Sequence, residues 1–264
     1  MLPTVQRPVA LVTGASGGIG ADLARLCASG GHDVVLVARG LDAMAALAAT
    51  LERTHGVRCT VLGVDLTEAD AVPTLVADLA ERGIEVDVLV NNAGFALFGP
   101  FVETSAATEL SMLQLNVVAL THLTKLLLPG MVRRGRGRVL TVASTAAFLP
   151  GPLMAVYYAS KAYVLSLSEA LAEEVAGTGV TVTCLCPGAT HTGFAVTANM
   201  ADSRLFSGPG VMDSAAVAKA GYDGMMAGRR LVIPGLANRL GMQSLRFAPR
   251  ALAARIAKAV NAAR

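Results

Sequence analysis

A chain of 264 residues that is 53% hydrophobic and 16% charged can bury a sizeable core without disulfide staples, and intrinsic disorder is excluded. The net charge of +3 is unevenly placed: Gly224 to Arg264 holds eight basic residues and no acidic one, leaving 14 basic and 19 acidic before it, a body of −5 and a tail of +8. With 4% aromatics and no Trp, the acidic body excludes nucleic acid as the partner.

In chain order, apolar runs alternate with helix-period segments. Val9 to Thr13 reads as a strand, Gly18 to Ser29 as a helix, Val34 to Ala38 as a strand and Leu41 to Thr54 as a helix. Cys59 to Val64, Val88 to Val90, Val139 to Ala143, Val180 to Cys186 and Leu231 to Ile233 are further strands. Between them lie the helical segments Glu68 to Glu81, Glu109 to Arg133 and Tyr157 to Val175. Continuous apolar strands are buried on both faces, and strand–helix–strand repeats pair in parallel through right-handed crossovers. The expected fold is α/β, a doubly wound parallel sheet of seven strands in a single domain. The segment 190–213 has no period and is expected to be a substrate lid, with Phe194, Met200 and Phe206 among its apolar residues.

The long uncharged stretches Val139 to Ser160 and Val175 to Ala201 are interrupted by Pro150-Gly151-Pro152 and by Pro187-Gly188, so neither is expected to span a membrane. Pro8 to Val12 is too short for a signal sequence, and a cytoplasmic protein is expected. The cysteines Cys27, Cys59, Cys184 and Cys186 form no C-x-x-C pair. They read as buried free thiols of a reducing compartment, Cys184 and Cys186 sharing one strand face, with zinc a remote alternative.

The first strand runs into Thr13-Gly14-Ala15-Ser16-Gly17-Gly18-Ile19-Gly20 and opens directly into a helix. Gly14, Gly18 and Gly20 allow a sharp turn and a close approach to a pyrophosphate, which a helix N-terminus attracts. The second strand ends on Ala38-Arg39, with no carboxylate to take a ribose 2′-hydroxyl. A guanidinium suits a 2′-phosphate, so the cofactor is read as NADP(H), with Ser16 a second donor to that group. Asp65 closes the third strand and Asn91-Asn92-Ala93-Gly94 the fourth, both at the ligand edge. Ser144 closes the fifth, and Tyr157 and Lys161 are spaced to stack on one helix face. An ammonium beside a phenol lowers the phenol's pKa toward the working range, giving a proton donor for carbonyl reduction and an acceptor for alcohol oxidation. Tyr158 also has Lys161 within helical reach, so spacing alone leaves the choice of tyrosine open. No G-x-S-x-G elbow surrounds Ser144, which disfavours acyl transfer despite His191.

Thr13 to Gly20, Asn91 to Gly94, Asn116, Ser144, Tyr157-x-x-x-Lys161 and Pro187-Gly188 together resemble the short-chain dehydrogenase/reductases, over about Val9 to Thr192. The resemblance favours Tyr157 as the proton donor or acceptor, with Ser144 holding the substrate oxygen. It implies that Lys161 bonds the nicotinamide ribose and tunes the tyrosine, and that Asn116 holds a water of the proton relay. It implies that Asp65 and Asn92 flank the adenine and its ribose, with Gly94 at the same edge. Pro187, Gly188, Thr190 and Thr192 would border the nicotinamide amide and phosphates, and Ile19 belongs to the glycine motif.

The function expected is NADP-dependent hydride transfer between nicotinamide and a carbonyl or secondary alcohol, with a bulky apolar ketone or ketoacyl compound as the small-molecule substrate. The alternatives are a catalytically idle NADP-binding sensor and an NAD-dependent alcohol dehydrogenase. A homodimer or homotetramer is expected through the two long helical segments. The basic extension 235–264 is expected to start a helix at Pro249, with Leu252, Ile256, Ala259 and Val260 on its apolar side and Arg250, Arg255 and Lys258 largely on the other. It is read as an interaction segment: docked on the acidic body of the same or a neighbouring subunit, in weak peripheral contact with a membrane, or simply solvated.

Overall fold

The structure is a computed structural model that describes residues 7–193, 210–245 and 249–262. Most of the expected lid, including Phe194, Met200 and Phe206, lies outside the described residues. The strands are β1 (Val9–Thr13), β2 (Asp33–Ala38), β3 (Cys59–Gly63), β4 (Val88–Asn91), β5 (Gly137–Val142), β6 (Val180–Leu185), β7 (Thr190–His191), β8 (Met212–Asp213) and β9 (Leu231–Val232). Seven of them form one parallel sheet in the order β3-β2-β1-β4-β5-β6-β9, as expected; β7 and β8 make a separate two-stranded pair. Strand order reverses between β1 and β4, and open α/β sheets bind ligands in the crevice beyond the carboxyl ends at such a point.

The core follows from the two-residue period of a strand. Ala10 and Val12 pack with Val34, Leu36, Val88 and Val90 against α1 (Gly18–Ser29), α2 (Leu41–His55) and α7 (Ser214–Met226), meeting Leu23, Met44, Leu51 and Val217. Leu11, registered with Val35 and Leu89, faces the other side. There it meets Leu75 and Leu79 of α3 (Ala71–Glu81) and Leu123 and Met131 of α5 (Leu120–Arg134). Both faces are covered, which is why the strands read as unbroken apolar runs.

Two elements depart from expectation. Helix α3 starts at Ala71 rather than Glu68, because Asp65 Oδ1 accepts from the Thr67 backbone N–H and hydroxyl at 3.0 and 2.7 Å and holds the following residues in turns. The long segment before β5 is continuous from α4 (Ala106–Leu113) into α5, but Gln114–Ala119 between them is π-helical. Helix α6 (Ala155–Glu174) follows β5, and the chain ends in α8 (Leu236–Ser244) and α9 (Arg250–Ala262).

Candidate active site

The glycine loop lies between β1 and α1. Gly14 and Gly18 have φ of +67° and +52°, a region open chiefly to glycine. A Cβ on Gly20 would fall 2.2 Å from the Gly14 carbonyl oxygen, and one on Gly18 would fall 3.1 Å from Thr192 Cγ2. The loop is thus drawn tight on itself and closed against Thr192 by the absence of side chains. The first turn of α1 has no acidic residue, and Gly17 at its N-cap provides no side-chain cap. Its leading N–H groups therefore present an anion-binding end. Asn92 secures the arrangement, Nδ2 donating to the Thr13 and Gly14 carbonyls at 2.9 and 3.2 Å.

At one end of the loop, a methyl on Gly40 would lie 3.8 Å from Ser16 Cβ, so Ser16 and the Arg39–Gly40 corner face each other. Arg39 Nη1 is 3.8 Å from Asp65 Oδ2, in a pair whose arginine side chain is 77% exposed and which solvent weakens accordingly. Burial opposes ionisation of the Asp65 carboxyl, but the Thr67 N–H, the Thr67 hydroxyl and Arg39 outweigh it and hold its pKa below the usual carboxylate value.

At the other end, Ser144 caps a 3₁₀ turn (Thr145–Phe148), Oγ accepting from the Ala146 N–H at 3.1 Å. Its hydroxyl also hydrogen-bonds Tyr157. Tyr158 turns away to donate to Asn261 Oδ1 at 3.0 Å, so geometry separates the two tyrosines. Lys161 is 5% exposed, donates to the Val142 carbonyl at 2.8 Å, and stands 5.8 Å from the Tyr157 ring centroid. The expectation that Lys161 pulls the phenol down is not met here. Burial pushes the Tyr157 pKa up, and the hydrogen bond from Ser144 only partly opposes it. Tyr157 is therefore held as a protonated phenol, the state a proton donor requires. Cys184 and Cys186 lie behind this group, sulfurs 3.8 Å apart on one strand face as expected.

Burial lowers Lys161 itself from 10.5 to about 8. Between those values the unfolded chain binds more protons than the folded one, so stability rises with pH. Relative to Lys161→Met, the wild type is expected to gain stability in denaturant unfolding from about pH 8 upward, toward pH 10. A flat difference would show an unshifted lysine.

Asn116, expected to hold a water of the proton relay, has its side chain tied to the loop after β4 and to α6. It sits on the π-helical turn, 1% exposed and behind the cleft wall. Its side chain accepts from the Phe95 N–H at 3.1 Å and donates to the Phe95 carbonyl at 3.0 Å and to Ser160 Oγ at 3.2 Å. Its amide thus clasps the loop after β4. Gly94 fits between, where a Cβ would come 2.8 Å from Asn116 Oδ1 and 3.4 Å from Lys161 Nζ.

One cleft of about 1140 Å³ runs the whole way, bordered by Gly14, Ser16, Gly18, Ile19, Gly20, Arg39, Asp65, Asn92, Gly94, Ser144, Tyr157, Lys161, Pro187, Gly188, Thr190 and Thr192. A glycine cradle, an unfilled helix N-terminus and a cation at the far end fit a nicotinamide dinucleotide. The short chain dehydrogenase family model matches residues 8–202. The chain belongs to the short-chain dehydrogenase family.

Within that family, this chain is 38% identical over 181 residues to a very-long-chain 3-oxoacyl-CoA reductase of Pyrenophora tritici-repentis, covering 67% of this chain and 53% of that protein. It spans about half the length of that relative. A short-chain dehydrogenase from Sphingobium yanoikuyae in complex with NADPH superposes with a TM-score of 0.83 at 35% identity, covering 93% of this chain and 94% of that one. The bulky-bulky ketone specific alcohol dehydrogenase from Comamonas testosteroni gives 0.77 at 32% identity, covering 93% and 96%.

The short-chain dehydrogenase motifs did not reveal an apolar part of the cleft lining. Met154, Met242, Leu245, Ile256, Ala257 and Val260 line it, several of them from the C-terminal helices. On helix α9 the residues of the expected apolar side, Leu252, Ile256 and Val260, are exposed, while Ala253, Ala257 and Asn261 are buried. Among the described residues it docks on its own chain through small residues and an amide. The spacing of Ala253, Ala257 and Asn261, one helical turn apart, is the signal that would have found this face.

Proposed function

We propose that the chain is an NADP-dependent reductase of bulky apolar ketones or ketoacyl compounds. The observation that carries this reading is the convergence of Ser144, Tyr157 and Lys161 on one end of a cleft whose other end carries the glycine cradle and Arg39. Bound nicotinamide supplies the hydride. Ser144 holds the carbonyl oxygen, and Tyr157 Oη delivers its proton to that oxygen as the carbon is reduced. Lys161 holds the wall through the Val142 carbonyl and would bond the nicotinamide ribose. The apolar wall of Met154, Leu245, Ile256 and Val260 supports an uncharged, bulky substrate body. Consumption of NADPH over a panel of steroids, acyl thioesters, sugars and small ketones tests the reading. Cofactor binding without turnover anywhere in the panel would support the idle sensor instead.

NADP preference rests on Arg39 and Ser16. Charge-assisted bonds to a 2′-phosphate are worth about 1.5–3 kcal/mol, roughly ten- to hundredfold in affinity. Arg39→Asp is expected to shift the ratio of NADPH to NADH affinity by about that factor toward NADH, read by titration of each cofactor. An unchanged ratio would assign the phosphate to other groups.

The same reading includes self-association. Leu110, Val118, Leu126 and Tyr163 stand exposed on α4, the π-helical turn, α5 and α6. The run Ala106–Arg133 is by length and composition apolar enough to cross a membrane. Its inner face packs on the sheet, and a second copy is the cover proposed for its outer face. Light scattering at micromolar concentration is expected to give a dimer or tetramer; a monomer would refute it.

A further inference from the structure

Helix α9 meets the catalytic region through one buried amide. Asn261, 1% exposed, accepts at Oδ1 from Tyr158 Oη at 3.0 Å and donates from Nδ2 to the Pro152 carbonyl at 2.9 Å. Both partners flank Tyr157: Tyr158 follows it in α6, and Pro152 belongs to the turn that opens α6. That turn carries a cost of its own, since Leu153 has φ of +69°, a left-handed conformation disfavoured for a branched side chain. Such a conformation persists where the surroundings over-determine it. Here Leu153 O accepts from the Gly99 N–H at 2.9 Å, while its neighbour Pro152 is fixed by Asn261. Gly151 lies so close under Tyr158 that a Cβ would fall 2.1 Å from the ring.

Ala253 and Ala257, two turns and one turn before Asn261, are buried and let the helix approach closely. Ile256 and Val260, on the adjoining flank, are about half-exposed and border the cleft. An amide with both ends satisfied thus fixes one face of α9, while the next face lines the cleft that Tyr157 and Ser144 share.

We propose that Asn261 is a specificity-determining positioning residue: by tying α9 to Tyr158 and to the Pro152 carbonyl, it sets Ile256 and Val260 as the wall that receives the apolar body of a bulky carbonyl substrate. The inference rests on the reductase function proposed above. A small ketone is held at Ser144 and Tyr157 and does not reach α9. A bulky one gains binding in proportion to the apolar surface it removes from water against that wall. Loss of the latch therefore acts on the KM of bulky substrates more than on the reacting group.

The test compares wild type, Asn261→Leu and Tyr158→Phe, with NADPH, on benzophenone and on 2-butanone. Asn261→Leu leaves the Tyr158 hydroxyl and Pro152 carbonyl without their partner; Tyr158→Phe removes one bond of the two and guards against a leucine variant that fails to fold. The expected result is a fall of about tenfold or more in the ratio of kcat/KM for benzophenone to that for 2-butanone, carried by KM, and a smaller fall in Tyr158→Phe. Amide hydrogen exchange across 253–262 is expected to speed up in both variants. Equal losses on the two ketones would mean a general structural role and overturn the inference. So would an unchanged ratio, unchanged exchange, or a wild type that accepts 2-butanone alone. Where the wild type accepts benzophenone alone, a raised KM with kcat held within about twofold supports the inference, and a loss in kcat alone overturns it. Where the wild type turns over neither ketone, the same comparison is made between the bulkiest and the smallest carbonyl of the panel that it reduces; turnover of none in the panel overturns the reductase reading, and this inference with it.

Discussion

Tyr157→Phe is expected to lower kcat by about a hundredfold to ten-thousandfold, the span contributed by a positioned proton donor, while NADPH affinity stays near the wild-type value. The two measurements separate because the substitution removes one hydroxyl and keeps the ring. Tyr157 is 7% exposed and packs in a small cluster with Ala96, Met112, Ala146 and Met154, which a phenylalanine ring fills equally well. Ser144 loses a hydrogen-bond partner but keeps its place at the head of the 3₁₀ turn. Single-turnover reduction together with fluorescence titration of NADPH checks both halves. More than a tenth of wild-type turnover in the variant would remove Tyr157 from the chemistry.

Gly20→Ala is expected to abolish measurable dinucleotide binding and to lower the thermal midpoint by several degrees. The added methyl would sit 2.2 Å from the Gly14 carbonyl oxygen and 2.4 Å from Asn92 Nδ2. Neither neighbour is the far end of a flexible side chain: one is backbone, and the other is tied to Thr13 and Gly14. The loop must open, which separates the leading N–H groups of α1 from the carboxyl end of β1. An overpacking penalty of about 1–3 kcal/mol corresponds to several degrees for a domain of this size. Calorimetry on the variant, with and without NADPH, reads both effects; a wild-type midpoint that still rises with NADPH would show that the loop is not the cradle.

The sheet was legible because both its faces are covered. Val9 to Thr13 and Val34 to Ala38 carry no polar alternation, which only a strand buried on two sides tolerates. The glycine loop, Ser144 and the Tyr157–Lys161 spacing were legible because each needs a residue type at a fixed offset from a strand end. Environment was not legible. Spacing placed Lys161 beside Tyr157 but carried no information on how completely the fold would desolvate both groups, and desolvation set the direction of both shifts. The docking face of α9 was not legible from hydropathy: Leu252, Ile256 and Val260 are its large apolar residues, yet the residues it buries are Ala253, Ala257 and Asn261. The π-helical turn was invisible because one extra residue in a long apolar helix barely disturbs its period.

That turn makes the helix from Ala106 to Arg134 one residue longer than a regular helix of the same span. Deleting any one residue of 114–119 would restore the regular hydrogen-bond ladder and shorten nothing else, so local helix energetics would reward the loss. The same deletion would leave the flanking turns facing as they do, because the bulge absorbs the extra residue locally, but would draw the residues of the turn itself back into regular helical positions. Asn116 would swing away from Phe95 and from the gap that Gly94 leaves open, and the loop beside Lys161 would lose its clasp. Selection for helix stability and selection for the loop's position therefore pull against each other over a single residue of chain length. A tolerant-looking surface helix hides one place where insertions and deletions are not neutral.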